Sequence, residues 1–484
     1  MAACSASAAQ AAGPVGAYTT NGAYSYVSAP RLHPPKIFTD APTRKGLGAG
    51  YFMSATSKSL ALKRRIVGQG GPLILDNHLQ PVWIRPVPTN DLSLNLLAQT
   101  YLGRPVLSWW QGEVTPSNGP LFAKAGTDVI VDEHYRTIKS LHGVDGWVLS
   151  PHEFLLDHGN AWVTAYKNVP FDLTPYGGPR NGQVIDTAVQ EYNVRTNALV
   201  WQWDALAHIP PSESYAAIGK DGVWDPYHMN SIDLTVPGKL LLSLRNTWAL
   251  YQVDRARGDI DWRLAGKNTS FKLGSGAAFS WQHDAKWAPH GEISIFDDEC
   301  CPASGPHANG PGRGLLLRLD MTTHTATVAK QYTHHGLEVG SQGSVQLLPN
   351  GNVMIGWGQQ PWFSEYSAGG KLLFDARYPN PDISYRVYKQ RWTGMPFYPP
   401  SLAARRHGPH VTVYASWNGA TKVASWQLLS GSNPARLRIA VRRASRHGFE
   451  TAIALNGGRY FKARALDRKG HALGTSKTIH LTSG

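Results

Sequence analysis

The sequence predicts an all-β fold: a six-bladed β-propeller followed by a small C-terminal β-sandwich of fibronectin III or immunoglobulin type. Three observations predict it. Glycine (49) and proline (33) are abundant and 17 tryptophans are present, the composition of short strands joined by many turns. Four segments repeat one strand–turn–strand pattern. No long stretch of helical periodicity separates them, which argues against a parallel α/β fold.

The first 44 residues read as a flexible segment. Their start, MAACSASAAQAAGPVG, is rich in small residues and carries an A-x-A-like site at Ala9-Gln10-Ala11, as at the end of a secretory signal. Cys4 offers a second reading, the remnant of a lipid-anchored export signal; a plain flexible tail is the third. Export, to a secreted or cell-surface location, is the expectation.

Residues 45–394 hold the repeat. The segments starting at Ser150, Asp225, Phe279 and Val339 each open with a polar residue flanked by small or aromatic ones and run through alternating apolar positions. Each turns at His158-Gly159, Pro237-Gly238, His290-Gly291 or Asn350-Gly351 and closes with a second strand (AWVTAY, LLLSLR, EISIFD, NVMIGW). This is hairpin chemistry. A second hairpin follows each, so the unit has four strands and recurs about every 55–75 residues. Two fainter units precede these: GYFMSAT with GPLILDNHLQPVWIRPV, and RPVLSWWQGE with DVIVDEHYRTIKSLH. SLNLLAQTYLG fits a strand of the second unit better than a helix. The closing strand of the wheel is left open.

MPFYPPSLAA (395–404) reads as a Pro-rich linker. Short alternating strands over 405–484, with Trp426 as the core tryptophan and Tyr460 at the core edge, read as the sandwich. It is basic, which suits contact with a cell surface or a glycan; a passive spacer is the plainer role.

The chain has 484 residues with 42% hydrophobic content and a net charge of +14. Such charge favours anions. No basic run interleaved with aromatics and no nucleic-acid motif appears, so nucleic acid is not an expected partner, and no apolar run is long enough to span a membrane. The cysteines are Cys4, Cys300 and Cys301. The adjacent pair is expected to be two free thiols, because a vicinal bridge is strained. The neighbouring acids Asp297, Asp298 and Glu299 read as a solvated turn, with a cation-binding loop as the alternative.

In a wheel of repeats, equivalent positions converge on the axis. His152, His228, His283 and Gln342 share one slot, the start of the first strand. Strand alternation aims Asn230 with His228, Met229 away from it, and Asp284 away from His283. Arg245 ends the second strand of its unit, beside His228. Imidazoles shuttle protons and act as nucleophiles near neutral pH. An arginine fork pairs with sulfate or phosphate oxygens. The chemistry fits transfer of an anionic group, with no metal or cofactor expected. Three histidines could also ligate zinc, copper or iron; the adjacent arginine weighs against that. A non-catalytic propeller that binds glycans or cell-wall material is a further alternative.

HMNS, SLR, FSWQHDA and SQGSVQLLPNGNVMIGWG together resemble the bacterial arylsulfate sulfotransferase family, and in particular its actinobacterial and fungal branch. RGLLLRLD, FSEY and LLFDAR also match, and the resemblance covers most of residues 146–391. It implies a six-bladed propeller that moves a sulfuryl group from an aryl sulfate to a phenol, without a nucleotide donor, through a sulfated histidine. Carried over, His283 is the nucleophile, and His228 and Arg245 bind and polarise the sulfuryl oxygens. His152 completes the cage and assists phenol deprotonation, and Asn230 orients the group. Gln342, Tyr227 and Trp357 complete the substrate-facing candidates. The best-studied members carry an N-terminal domain where this chain carries a C-terminal one.

Overall fold

A computed structural model of the chain describes residues 18–41, 45–58, 65–88, 90–115, 122–300 and 310–481. It is all-β, with short 3₁₀ turns as its helical elements. Residues 1–17, with Cys4 and the A-x-A-like site, lie outside the described residues, as does Cys301.

Six antiparallel sheets follow one another along the chain. Their first strands are Asp382–Gln390, Asp91–Tyr101, Val148–Asp157, Met229–Asp233, His283–Ala288 and Ser344–Leu347, and these strands touch in cyclic order. Each sheet then runs outward through three more principal strands. SLNLLAQTYLG is a strand, as expected. The ring is closed within one sheet: Asp382–Gln390, from late in the chain, pairs with Tyr51–Lys58, from early in it. A second tie, Phe38–Ala41 against Leu372–Arg377, holds the N-terminal segment to the outer edge of the sixth sheet.

Alternation explains the stacking. In LLLSL, Leu240 and Leu242 enter the core shared with the preceding sheet, and Leu241 enters the core shared with the following one. A strand buried on both faces reads as a continuous apolar run because side chains alternate between faces. The same sharing recurs at the remaining interfaces, through Phe296 and Val345, Met354 and Phe52, Met53 and Leu107, and Ile130 and Val163.

The inner strands depart from this regularity. Five of them lose register just where they approach the axis, between Ser384 and Val387, Leu94 and Leu97, Leu149 and Phe154, Met229 and Ser231, and His283 and Lys286. A bulge re-aims side chains and ends pairing. It brings Asn95, Glu153, Asn230, Asp284 and Arg386 into the centre, all buried.

Residues 401–481 form two further sheets around one core that contains Trp426, Val413 and Phe461. The first strand, Ser401–His407, starts inside the stretch read as linker. The unit is fastened to the ring by Asn418, which pairs with both the N–H and the carbonyl of Ile84, at 2.9 and 2.8 Å. Tyr135 adds a hydroxyl bond to Gly419 O.

Candidate active site

His283 begins its strand and is almost fully buried, with its side chain 1% exposed. Its Nδ1 lies 2.6 Å from Asp298 Oδ2. The backbone N–H of Gln342 points at its Nε2 from 3.3 Å. A backbone N–H can only donate, so Nε2 accepts, and the ring proton sits on Nδ1 and is donated to Asp298. Burial, reinforced by Arg245, His152 and His228, holds the His283 imidazole well below its ordinary pKa of 6.5. The ring is therefore neutral, with a lone pair on Nε2. The Gln342 backbone reaches it through a tight turn: Gln342 has φ 75° and Gly343 φ 106°. A Cβ on Gly343 would sit 2.4 Å from the Phe296 ring.

His228 is the most exposed of the three histidines, at 15%. It precedes its strand with φ 53°, so the period-two argument that paired it with Asn230 does not apply. Asp225 grips it twice, accepting from its backbone N–H at 3.0 Å and meeting Nδ1 at 2.6 Å. His152 packs edge-on against His228, with ring centroids 4.8 Å apart. Its Nδ1 meets two hydroxyls, Ser150 Oγ at 2.6 Å and Tyr166 OH at 2.8 Å. Burial, then the charges at His228, Arg386 and Arg245, hold its pKa well below the ordinary value. Tyr385 joins the cluster, 5.5 Å from the His152 ring and 6.3 Å from that of His283.

Arg245 follows the strand Lys239–Leu244, and its N–H donates to His228 O at 3.0 Å, as the hairpin reading expects. Its guanidinium lies over the Trp281 ring at 4.6 Å. It donates to Asn246 Oδ1 and to Gly340 O, at 3.2 and 3.3 Å. Trp281, Trp248 and Cys300 pack together beside it, with Tyr215 stacked on Trp248 at 3.8 Å.

Below the histidines a buried charge network closes the axis. Glu153 accepts from Arg386 Nη1 at 3.1 and 3.2 Å and from Lys286 Nζ at 2.6 Å. Burial alone would raise its pKa, but Arg386 and Lys286 outweigh it and hold the carboxyl below its usual range. Asp284 belongs to this layer, accepting from Tyr388 OH and Val345 N. Its φ is 56°, and its carboxylate is spent within this layer and not on His283.

Five expectations need correction. The Asn230 amide donates to Gln282 O at 2.7 Å, so it ties two sheets together beneath His283 rather than offering that bond to a ligand. Tyr227 is fully buried in an apolar core with its hydroxyl on Ile209 O, and Trp357 is fully buried with its indole N–H on Ser364 Oγ; neither lines the opening. The acidic run is no solvated turn. Asp297 and Asp298 are fully buried; Asp298 holds His283, and Asp297 takes Ser280 N and Arg313, with burial pushing its pKa up to about 6. Cys300 is disulfide-bonded, not a free thiol.

Sequence reasoning missed Asp298, Asp225, Ser150, Tyr166 and Tyr385. Asp225 had a signal, its position three residues before His228. Among the described residues no group of three His, Cys, Asp or Glu side chains is arranged to hold a metal ion.

The arylsulfotransferase (ASST) family model matches residues 100–379, which includes the three histidines, Arg245, Asp225 and Asp298. No curated protein matches the chain. Among solved structures, a protein of unknown function from Bacteroides caccae is 12% identical, covering 70% of this chain and 98% of its own, with a TM-score of 0.41. Virginiamycin B lyase from Staphylococcus aureus is 8% identical, covering 78% and 95%, with a TM-score of 0.35. The Cps50 (Swd1) β-propeller domain of Myceliophteria thermophila is 9% identical, covering 78% and 97%, with a TM-score of 0.33. These scores are too low to bear on function. The family match spans more than half of the sequence, and the chain belongs to the arylsulfotransferase family.

Proposed function

We propose that this chain is a PAPS-independent sulfotransferase that moves a sulfuryl group from an aryl sulfate to a phenol through a sulfated His283. The observation that carries the reading is the hold on His283: Nδ1 on a buried carboxylate and Nε2 turned, neutral, toward Gln342 in the histidine cluster. A nucleophile needs an unprotonated nitrogen, and it needs a partner for the positive charge that attack creates.

In the first half-reaction Nε2 attacks sulfur. An N–S bond forms, the S–O(aryl) bond breaks, and the aryloxide leaves with the bonding pair. Asp298 stabilises the sulfated imidazolium through Nδ1–H. Arg245 and the Nε2–H that His152 can present meet the sulfuryl oxygens, where donors placed in a dry site act most strongly. In the second half the phenol oxygen attacks sulfur, the N–S bond breaks, and the lone pair returns to Nε2. The phenol proton passes to Nε2 of His228, whose Nδ1 rests on Asp225.

On this reading the six sheets are six blades, His283 and its partners sit at one mouth of the axis, and the C-terminal unit is a sandwich. The chain acts outside the reducing cytosol, which the bridged Cys300 supports. The test is nitrophenol release from p-nitrophenyl sulfate with a second phenol present, for the parent and for His283→Ala. Release by the parent alone supports the proposal. Equal release by both moves the nucleophile elsewhere, and release by neither overturns the proposal for aryl sulfate donors.

A further inference from the structure

The charge of this protein is not evenly shared. Residues 395–484 hold 14 Lys and Arg against 2 Asp and Glu, a net +12; residues 1–394 carry the remaining +2. Both acids of the C-terminal unit are already engaged. Glu450 accepts the backbone N–H groups of Val27 and Ser28, at 3.2 and 2.5 Å. Asp467 binds the N–H and the ring of His471 within its own turn.

The cations form a track. In the strand Tyr460–Leu466, Phe461, Ala463 and Ala465 enter the core, so Lys462 and Arg464 face outward by alternation. On the edge strand Arg438–Ser445, Arg443 donates to Arg468 O at 3.0 Å, which brings the sheet face to the Asp467–His471 turn. That turn opens into a cleft of about 750 Å³ between the unit and the first sheet of the ring, lined by Lys422, Arg446, His447, Arg468 and Lys469. Asp76, on the opposite wall, spends an oxygen on the N–H groups of His78 and Gln80. None of the track's lysines and arginines is ion-paired with a carboxylate among the described residues.

The geometry points to a docking site for a linear polysaccharide bearing sulfate or phosphate esters, its charged groups along the track and one stretch seated in the cleft. Charge of this density selects a polyanion, and arginine matches ester oxygens in pairs. Readers of single-stranded nucleic acid interleave aromatics with their cations; Tyr51 is the aromatic lining the cleft, and Lys462, Arg464, Arg443 and Arg468 have none between them. Membrane-surface elements need a set of apolar side chains; Ile439 is the exposed large aliphatic on this sheet.

The test uses the full chain and low-molecular-weight heparin as the sulfated glycan. The track variant combines Lys422→Ser, Arg464→Ser, Arg468→Ser and Lys469→Ser. The control removes as many exposed cations from the ring, with Arg104→Ser, Arg180→Ser, Lys220→Ser and Lys371→Ser. The parent should bind heparin with a strong salt dependence, the track variant about 10-fold or more weakly, and the control within about 2-fold of the parent. Should the track variant melt differently from the parent, the exposed pair Arg468→Ser and Lys469→Ser alone should still show the larger loss. Equal losses in track and control, or no binding by the parent, overturn the proposal. So does tighter, track-dependent binding to single-stranded DNA or to phosphatidylglycerol vesicles.

Discussion

Two histidines in this site are buried alike and held differently. His283 gives its Nδ1 to a buried carboxylate, Asp298. His152 sets its Nδ1 between the hydroxyls of Ser150 and Tyr166. The Gln342 N–H at Nε2 fixes the His283 proton on Nδ1, where Asp298 accepts it and, when ionised, supports a cation. Hydroxyls can donate or accept, so they leave His152 able to present Nε2–H as a donor. The difference separates a nucleophile from a hydrogen-bond donor, although the sequence places both residues in the same slot of the repeat.

The largest expected effect breaks the comparison outright. His283→Ala should lower turnover by at least about 10⁴-fold, while His152→Ala, which removes one oxyanion donor, should lower it by about 10²-fold. Steady-state kinetics with p-nitrophenyl sulfate separate the two; equal losses would mean that the contrast in Nδ1 partners carries no functional meaning. Asp298→Asn sharpens the comparison. An amide can donate to Nδ1 and push the proton onto Nε2, so kcat should fall by about 10²–10⁴-fold with the fold intact. Circular dichroism checks the fold, and a near-parental kcat would remove Asp298 from the account.

Arg245→Met should cost about 10²-fold in kcat and should also move the pH profile. The neutral form of His283 is the reactive one, and its pKa lies well below 6.5. Activity in the parent should therefore hold as the pH falls through 6.5 and drop only below it. Arg245 contributes to that depression after burial, so removing its charge should shift the acid limb upward, toward 6.5. A limb that stays put would show that Arg245 does not act on the nucleophile. The smallest effect concerns a residue outside the site. Tyr227→Phe should leave kcat unchanged and cost about 1 kcal/mol of stability, since it strips a buried hydrogen bond from Ile209 O. Thermal melting beside kinetics measures both.

The repeat was legible because its apolar strands obey period two on both faces: the Leu240–Leu242 run shows alternation serving two cores at once. Arg245 beside His228 followed from the hairpin alone. What failed to be legible lies where the backbone leaves that period. His228 has a positive φ and precedes its strand, so alternation does not govern where its side chain points. Asp298 was hidden for another reason. Three acids before a cysteine pair have the composition of a solvated turn, and only the tertiary fold brings the second under His283 and the first onto Arg313. Tyr227 and Trp357 stand close in sequence to site residues, but their rings fill cores. An aromatic beside a site motif does not reveal which face of the sheet it occupies.

The central claim is that sulfur becomes bonded to His283 Nε2. Its most direct test is to mix the protein with p-nitrophenyl sulfate in the absence of any acceptor, quench in alkali within a turnover, and digest for mass spectrometry. The account predicts the added mass of one sulfuryl group on the peptide carrying His283, removed by a chase of phenol and absent from Asp298→Asn under the same quench. Modification at His152 or His228, or none during active turnover, would contradict it.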